Sequence, residues 1–141
     1  MEYEATRGMP AESRVVFDVA SDVSTMDRWL PEEIHVRDIA PGLAEADAET
    51  GRETHQGLMR KVPEQLRLEW GIKERPDYTG WLQVTDAGAG ASEVVVHLSF
   101  LGDQPEASGS GRAGDVTRRS LERSLDRLAE EVGRRVAQPG Y

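Results

Sequence analysis

The sequence predicts an α+β fold in which a seven-stranded antiparallel sheet wraps around a long C-terminal helix. Apolar and polar side chains alternate with a period of two from residue 33 to residue 101, which is typical of half-buried strands. Turn-forming residues interrupt this alternation at strand-length intervals. A leucine repeat at helical spacing follows near the C-terminus. This order favours a sheet with its helices on one side.

The first thirty residues predict one strand and two short helices. Residues 2–9 can form the first strand, and Pro10 then supplies a backbone angle that suits the first turn of a helix. Ser24 begins a capping-box pattern, which predicts a second short helix that ends before Pro31. The first helix, over residues 12–21, has apolar residues three and four positions apart: Val15, Val16, Val19 and Ala20.

Six further strands are predicted to form a meander. Pro41-Gly42 and Arg75-Pro76-Asp77 are two of the turns between them. Together with the first strand they make seven. The six predicted ranges are 34–40, 43–49, 53–61, 66–74, 78–86 and 92–101.

Alternation assigns the two faces of these strands. Leu68 and Trp70 share one face of the fifth strand, whereas Arg67 and Glu69 lie on the other. In the last strand, apolar residues occupy alternate positions and His97 falls on the opposite face. Small residues face inward from the third strand, which leaves space beside the sheet: Ala44, Ala46 and Ala48.

The longest predicted helix covers residues 115–136, about 30 Å at 1.5 Å per residue. Residues 102–114 are rich in Gly and Ser and predict a flexible loop, and residues 137–141 form a short tail. The whole chain, residues 1–141, is predicted to be a single domain. One stripe of this helix is apolar: Leu121, Leu125, Leu128 and Val132.

Composition and charge exclude several classes of function. The net charge of −9 disfavours nucleic acid as a partner, because phosphate backbones are bound by clustered Lys and Arg. The arginines of the last helix alternate with carboxylates at helical spacing, which predicts a salt-bridged surface. No apolar run is long enough to span a membrane, and the acidic N-terminus lacks the pattern of a signal peptide, so we expect a cytoplasmic protein. The oligomeric state stays open.

Two motifs resemble parts of cofactor sites. Residues 109–114 match GxGxxG, but no strand leads tightly into them and none follows the helix, so we interpret them as part of the loop. His35, His55 and His97 lie on three separate strands, and no pair has the spacing of a helical zinc motif. The chain has no cysteine. We therefore predict neither a metal nor a cofactor.

Several short motifs near the N-terminus resemble one superfamily. They are Met9-Pro10-Ala11-Glu12, Val16-Phe17-Asp18-Val19, Ser21-Asp22 and Arg28-Trp29. With the order of elements, they make the chain similar to the START/Bet v 1-like (SRPBCC) superfamily, in its polyketide cyclase/dehydrase-like branch. The resemblance implies a helix-grip fold with a mainly apolar cavity between the sheet and the last helix. It also implies a lipid, aromatic or polyketide-like ligand.

The predicted function is therefore binding of a small hydrophobic ligand. Arg118 is a weak catalytic candidate that could polarise a carbonyl or simply point to solvent, and Gln56, Arg60 and Tyr78 are further polar candidates for polyketide aromatase/cyclase-like chemistry. Trp70 could line the pocket or pack in the core. An alternative is a protein-interaction module of the chaperone-activator type without turnover. The predicted ligand-binding residues are Leu68, Trp70, Leu121, Ser124, Leu125 and Leu128.

Overall fold

The computed structural model describes residues 1–50, 53–73 and 75–137, with only the backbone of Thr50 and Glu53. The predicted turn at residues 51–52, Glu74 and most of the predicted tail lie outside the described residues. In chain order the described elements are β1 (Glu2–Met9), α1 (Ser13–Ala20), β2 (Ile34–Ala40), β3 (Leu43–Thr50), β4 (Glu53–Val62), β5 (Arg67–Ile72), β6 (Arg75–Gly88), β7 (Ala91–Phe100) and α2 (Gly111–Ala137).

The seven strands form one antiparallel sheet in the order β1-β7-β6-β5-β4-β3-β2. One row of paired residues shows the register across five strands. Tyr3 lies opposite Leu98, Leu98 opposite Gly80, Gly80 opposite Trp70, and Trp70 opposite Met59. The predicted α+β class and the predicted order of elements are confirmed.

The inner face of the sheet is the one that meets α1 and α2. Alternation places the buried strand residues on this face, as predicted for β5. The last helix contributes Leu125, Leu128 and Val132, which are at most 2% exposed. The main core lies between these layers, and its buried strand residues are Met9, Ala44, Met59, Leu68, Leu82, Val84, Val94 and Val96.

The second predicted helix is a 3-10 helix, Val23–Arg28, and the predicted cap is wrong. The side chain of Asp22, rather than that of Ser24, caps this helix. Asp22 accepts hydrogen bonds from the backbone N–H of Ser24 at 3.1 Å and from its hydroxyl at 2.6 Å. Asp22 precedes the helix and can reach its free N–H groups, whereas Ser24 already lies inside the first turn.

Several strand and helix boundaries also differ from the prediction. The predicted turn at residues 75–77 is wrong, because β6 already begins at Arg75, which pairs with Ile72 after a register shift. Leu66 adopts a left-handed conformation (φ 54°) at the end of the 3-10 helix Pro63–Gln65, so β5 begins one residue later. Helix α2 begins at Gly111 inside the predicted flexible loop, and Pro105–Ser108 forms another 3-10 helix. Within the first turn of α2, a Cβ at Gly114 would lie 3.1 Å from the Gly109 backbone. The glycines thus permit close packing here.

Helix α2 packs beside β1, and its second half also packs against α1. The Arg7 guanidinium on β1 is 3.0 Å from the Asp126 carboxylate on α2 and joins these two elements. No helix in residues 1–50, 53–73 and 75–137 is long and apolar enough to cross a membrane.

Candidate ligand-binding site

The inner face divides into a packed half and an open half. In the packed half, Leu68, Leu82, Val84 and Val94 are at most 2% exposed beneath the helices. In the open half, the inward-facing residues of neighbouring strands are only partly buried, although most of them are apolar. The open half comprises Val36, Ala46, Gly57, Trp70, Ile72, Tyr78 and Leu98.

Trp70 forms the centre of the open half because Gly80 lies beside it. A Cβ at Gly80 would lie 2.3 Å from the Trp70 indole nitrogen and 2.4 Å from Cε2 of the same ring. The absence of a side chain at Gly80 therefore lets the indole lie against β6. The result is a flat aromatic surface on the inner face of the sheet.

Tyr78 supplies a polar group next to this surface. Its hydroxyl oxygen accepts a hydrogen bond from the Trp70 indole N–H at 3.1 Å. The hydroxyl proton has no acceptor among the described residues, so it is available to a ligand oxygen. Burial, followed by the negative charge of Glu106, raises the pKa of Tyr78, so the phenol is protonated at neutral pH and can donate.

An aromatic cluster continues from Tyr78 towards the start of α2. The rings of Tyr78 and Phe100 are 4.8 Å apart, and Tyr3 meets Phe100 edge-on at 5.7 Å. The Tyr3 hydroxyl donates a 2.5 Å hydrogen bond to the Glu106 carbonyl oxygen. This cluster holds the loop before α2 against the end of the sheet.

Two solvent-open grooves flank the connection between Val23–Arg28 and β2. The smaller groove has a volume of about 260 Å³, and its lining includes Leu30, Ile34 and Val36. The larger groove has a volume of about 350 Å³ and separates residues 31–33 from one side of α2. Its α2 wall consists of Val116, Arg119, Ser120, Arg123, Ser124 and Arg127.

The predicted ligand-binding residues occupy three different environments. Trp70 and Leu121 are partly buried and pack against the edge of the core, and Ser124 lines the larger groove. The other three residues are at most 2% exposed within the packed half, where they can support a binding surface from behind: Leu68, Leu125 and Leu128.

The polar candidates for catalysis do not converge. The Arg118 guanidinium donates to the Gly109 carbonyl at 2.9 Å, pairs with Asp115 at 3.6 Å and lies 5.2 Å from the Tyr3 ring centroid. Arg60 and Gln56 lie on the outer face. Tyr78 is the member of this set on the inner face.

The larger groove was missed by the sequence analysis, because its second wall is an irregular connection without periodicity. The predicted salt-bridged surface on α2 is wrong for Arg119, Arg123 and Arg127, which have no ion pair among the described residues. The sequence does contain one signal for this groove, because a spacing of four residues places the three arginines on one side of a helix. The intervening carboxylates instead suggested pairs that the structure does not form.

Sequence comparison decides the family. Residues 1–133 match the family described as polyketide cyclase / dehydrase and lipid transport. The chain belongs to this family. The resemblance stated from the N-terminal motifs is confirmed by this match. No curated protein matches the sequence.

Several solved structures share the fold of this polyketide cyclase family member at low sequence identity. TTHA0849 from Thermus thermophilus is 19% identical with a TM-score of 0.78, covering 98% of this chain and 100% of that one. The Zhui aromatase/cyclase from Streptomyces sp. R1128 is 18% identical with a TM-score of 0.69, covering 99% and 98%. The di-domain StfQ of the steffimycin biosynthetic pathway is 20% identical with a TM-score of 0.67, covering 96% and 46%.

The outer face of the sheet carries a continuous polar network. The Trp81 and His97 rings stack at 5.1 Å, and the Arg67 guanidinium lies 4.6 Å from the Trp81 centroid. His97 contacts the Glu2 carboxylate at 2.8 Å, and Arg67 contacts Glu69 at 2.8 Å. Trp81 and His97 thus face away from the candidate site, as the strand alternation predicts for His97.

Hydrogen bonds in this network shift the carboxylates towards the ionised form. Donation from Arg67, and then from Arg60 at 2.5 Å, lowers the pKa of Glu69. Donation from Lys73 lowers the pKa of Glu45, which also pairs with Arg37. These shifts result from ion pairs that hold adjacent strands together, and we assign them a structural role.

The histidines form no common centre. His35 lines the smaller groove on β2, His97 lies on the outer face, and His55 belongs to β4. In the described part of the chain, no three His, Asp or Glu side chains are grouped as a metal site.

Proposed function

We propose that the chain binds a small hydrophobic ligand, with an aromatic, polyketide-like or lipid body, against the open half of the inner face. The observation that supports this most directly is the Trp70 indole, which lies across Gly80 among partly exposed apolar neighbours. Apolar surface left partly exposed in a concave region is a common feature of ligand sites. The family description, which joins polyketide cyclases with lipid transport, agrees with this ligand class.

Tyr78 gives the proposed ligand an orientation. Its free hydroxyl proton would donate to a carbonyl or hydroxyl oxygen held beside Trp70. A ketone hydrogen-bonded in this way is more electrophilic, and ketones are the groups that react when a polyketide chain cyclises. The aromatase/cyclase name of one structural neighbour supports considering the same reaction class for this chain.

A pair of tryptophan variants tests the proposal. Trp70→Phe changes the open half of the inner face, whereas Trp81→Phe makes the same change on the outer face. We expect Trp70→Phe to weaken binding of the neutral probe N-phenyl-1-naphthylamine about three- to tenfold, because it reduces the aromatic surface. Trp81→Phe should leave the affinity unchanged. Probe fluorescence in a titration measures both.

Two results would contradict the proposed site. Equal loss of affinity in both variants would mean that the probe responds to general loosening of the sheet. Failure of the unmodified protein to bind the probe, or to retain any small molecule in native mass spectrometry, would remove ligand binding itself.

A further inference from the structure

Three arginines on one side of α2 have no hydrogen-bond or ion-pair partner among the described residues. We call Arg119, Arg123 and Arg127 the arginine row. Their spacing of four residues places them on one side of the helix over about 12 Å. Together with Ser120 and Ser124, they form one wall of the 350 Å³ groove.

Most carboxylates near the row on α2 have other partners, whereas Glu122 has no ion pair among the described residues. Asp126 contacts Arg7 on β1 at 3.0 Å, and Glu131 contacts Arg28 at 3.3 Å and Arg134 at 2.6 Å. Glu131 is 5% exposed, so burial restricts its carboxylate to these partners. These two carboxylates are thus paired with arginines outside the row.

The arginine row is a local reversal of charge in an acidic protein. The chain has a net charge of −9, yet three guanidinium groups converge on one groove. Guanidinium groups bind carboxylates through two parallel hydrogen bonds, and the serine hydroxyls beside them can donate as well. The groove therefore suits an anionic oxygen group.

We propose that the arginine row binds the carboxylate of an amphipathic ligand whose apolar body lies against the open half of the inner face. This inference rests on the proposed function and adds the chemical class of the ligand's polar end. The larger groove is connected to the open half through the 30–36 connection: residues 31–33 line the larger groove, whereas Leu30 and Val36 on either side of them line the smaller groove, and Val36 belongs to the open half.

The opposite wall of the groove limits the charge of the ligand. Glu32 and Glu33 lie across from the arginine row, and no ion pair joins the two walls within the described residues. The three guanidinium groups and the two carboxylates leave one net positive charge in the groove, which a single carboxylate neutralises and a dianionic phosphate ester exceeds. The two carboxylates also repel an acidic protein surface, as does the net charge of the whole chain.

The experiment compares an anionic ligand with a neutral ligand that has the same aromatic body. Titration calorimetry at pH 8 would measure 2-naphthoate, which is anionic, and 2-naphthamide, which is neutral and nearly the same shape. We expect naphthoate to bind more tightly, and Arg123→Gln to weaken naphthoate about tenfold while changing naphthamide less than twofold. Removing all three guanidinium groups by R119Q, R123Q and R127Q should abolish the preference for the anion.

Arg14→Gln is the matched control, because Arg14 is an exposed arginine on α1 and its loss changes the net charge equally. Equal binding of the two ligands, or equal effects of Arg14→Gln and Arg123→Gln on naphthoate, would overturn the inference while leaving the proposed function intact. Tighter binding of 2-naphthyl phosphate than of naphthoate would overturn the choice of a carboxylate. If neither naphthamide nor N-phenyl-1-naphthylamine binds, the proposed function fails as well.

Discussion

Two tryptophans on adjacent strands show how the two faces of the sheet differ. Trp81, on the outer face, lies between the His97 ring and the Arg67 guanidinium, and those groups are paired in turn with carboxylates. Trp70, on the inner face, donates to the Tyr78 hydroxyl, whose own proton has no acceptor among the described residues.

The two faces differ in whether their polar groups are already paired within the chain or can still bind a ligand. On the outer face, ion pairs connect neighbouring strands, and the charged groups of this network have partners within the chain. On the inner side, the Tyr78 hydroxyl and the arginine row retain free hydrogen-bonding capacity beside partly exposed apolar surface. A ligand can stabilise the second arrangement, whereas it would have to displace existing partners in the first.

Substitutions of buried leucines should change the free energy of unfolding most, because the two faces of the sheet differ in packing. Leu68→Ala, in the packed half of the inner face, should lower the free energy of unfolding by about 2–5 kcal/mol, because the residue is fully buried and its loss leaves a cavity. Leu58→Ala makes the same change at a half-buried position on the outer face and should cost about 1 kcal/mol. Urea unfolding followed by circular dichroism measures both. Equal losses would mean that the outer face carries as much packing energy as the core.

A pair of glycine variants gives the next largest effect. Gly80→Ala places a Cβ 2.3 Å from the Trp70 indole nitrogen, so the indole must move. We expect a loss of about 1–3 kcal/mol in unfolding free energy, together with weaker binding of N-phenyl-1-naphthylamine. At Gly8 a Cβ would meet no atom within 4 Å, so Gly8→Ala should change stability by less than about 0.5 kcal/mol. Unchanged probe affinity in Gly80→Ala would show that the indole position does not matter for binding.

The smallest expected effect tests the polar network of the outer face by its pH dependence. The pKa of Glu69 is lowered in the folded protein, so its ionised form contributes stability above the pKa of an unfolded glutamate, about 4.3. This contribution is lost as the pH falls through the lower folded pKa. Glu69→Gln should therefore destabilise the protein at pH 7 by less than about 1 kcal/mol, and the difference from the unmodified protein should shrink at low pH.

Glu64→Gln is the control for this titration, because Glu64 is exposed and has no ion pair among the described residues. Thermal unfolding of the three proteins between pH 3 and pH 7 measures the effect. A difference between Glu69→Gln and the unmodified protein that stays constant over this range would contradict an ionic origin.

The order of elements and the two faces of the strands could be predicted from the sequence. Leu68 and Trp70 alternate with Arg67 and Glu69, and burial of the apolar pair follows directly because successive side chains point to opposite faces. The leucine stripe likewise fixed the side of α2 that meets the core. These predictions succeeded because the buried face of a strand or helix follows from the local periodicity of apolar residues, without reference to contacts distant in sequence.

Only the tertiary structure decided which of these residues have capacity left for a ligand. Trp70 lies flat because Gly80 is its neighbour on the next strand, and Asp126 is unavailable to the arginine row because Arg7, distant in sequence, binds it. The first turn of α2 likewise packs closely against Gly109, which Gly114 permits because it has no Cβ. Residues that are distant in sequence can compete for the same partner once the chain has folded. The spacing of residues along the chain does not show which of them will compete.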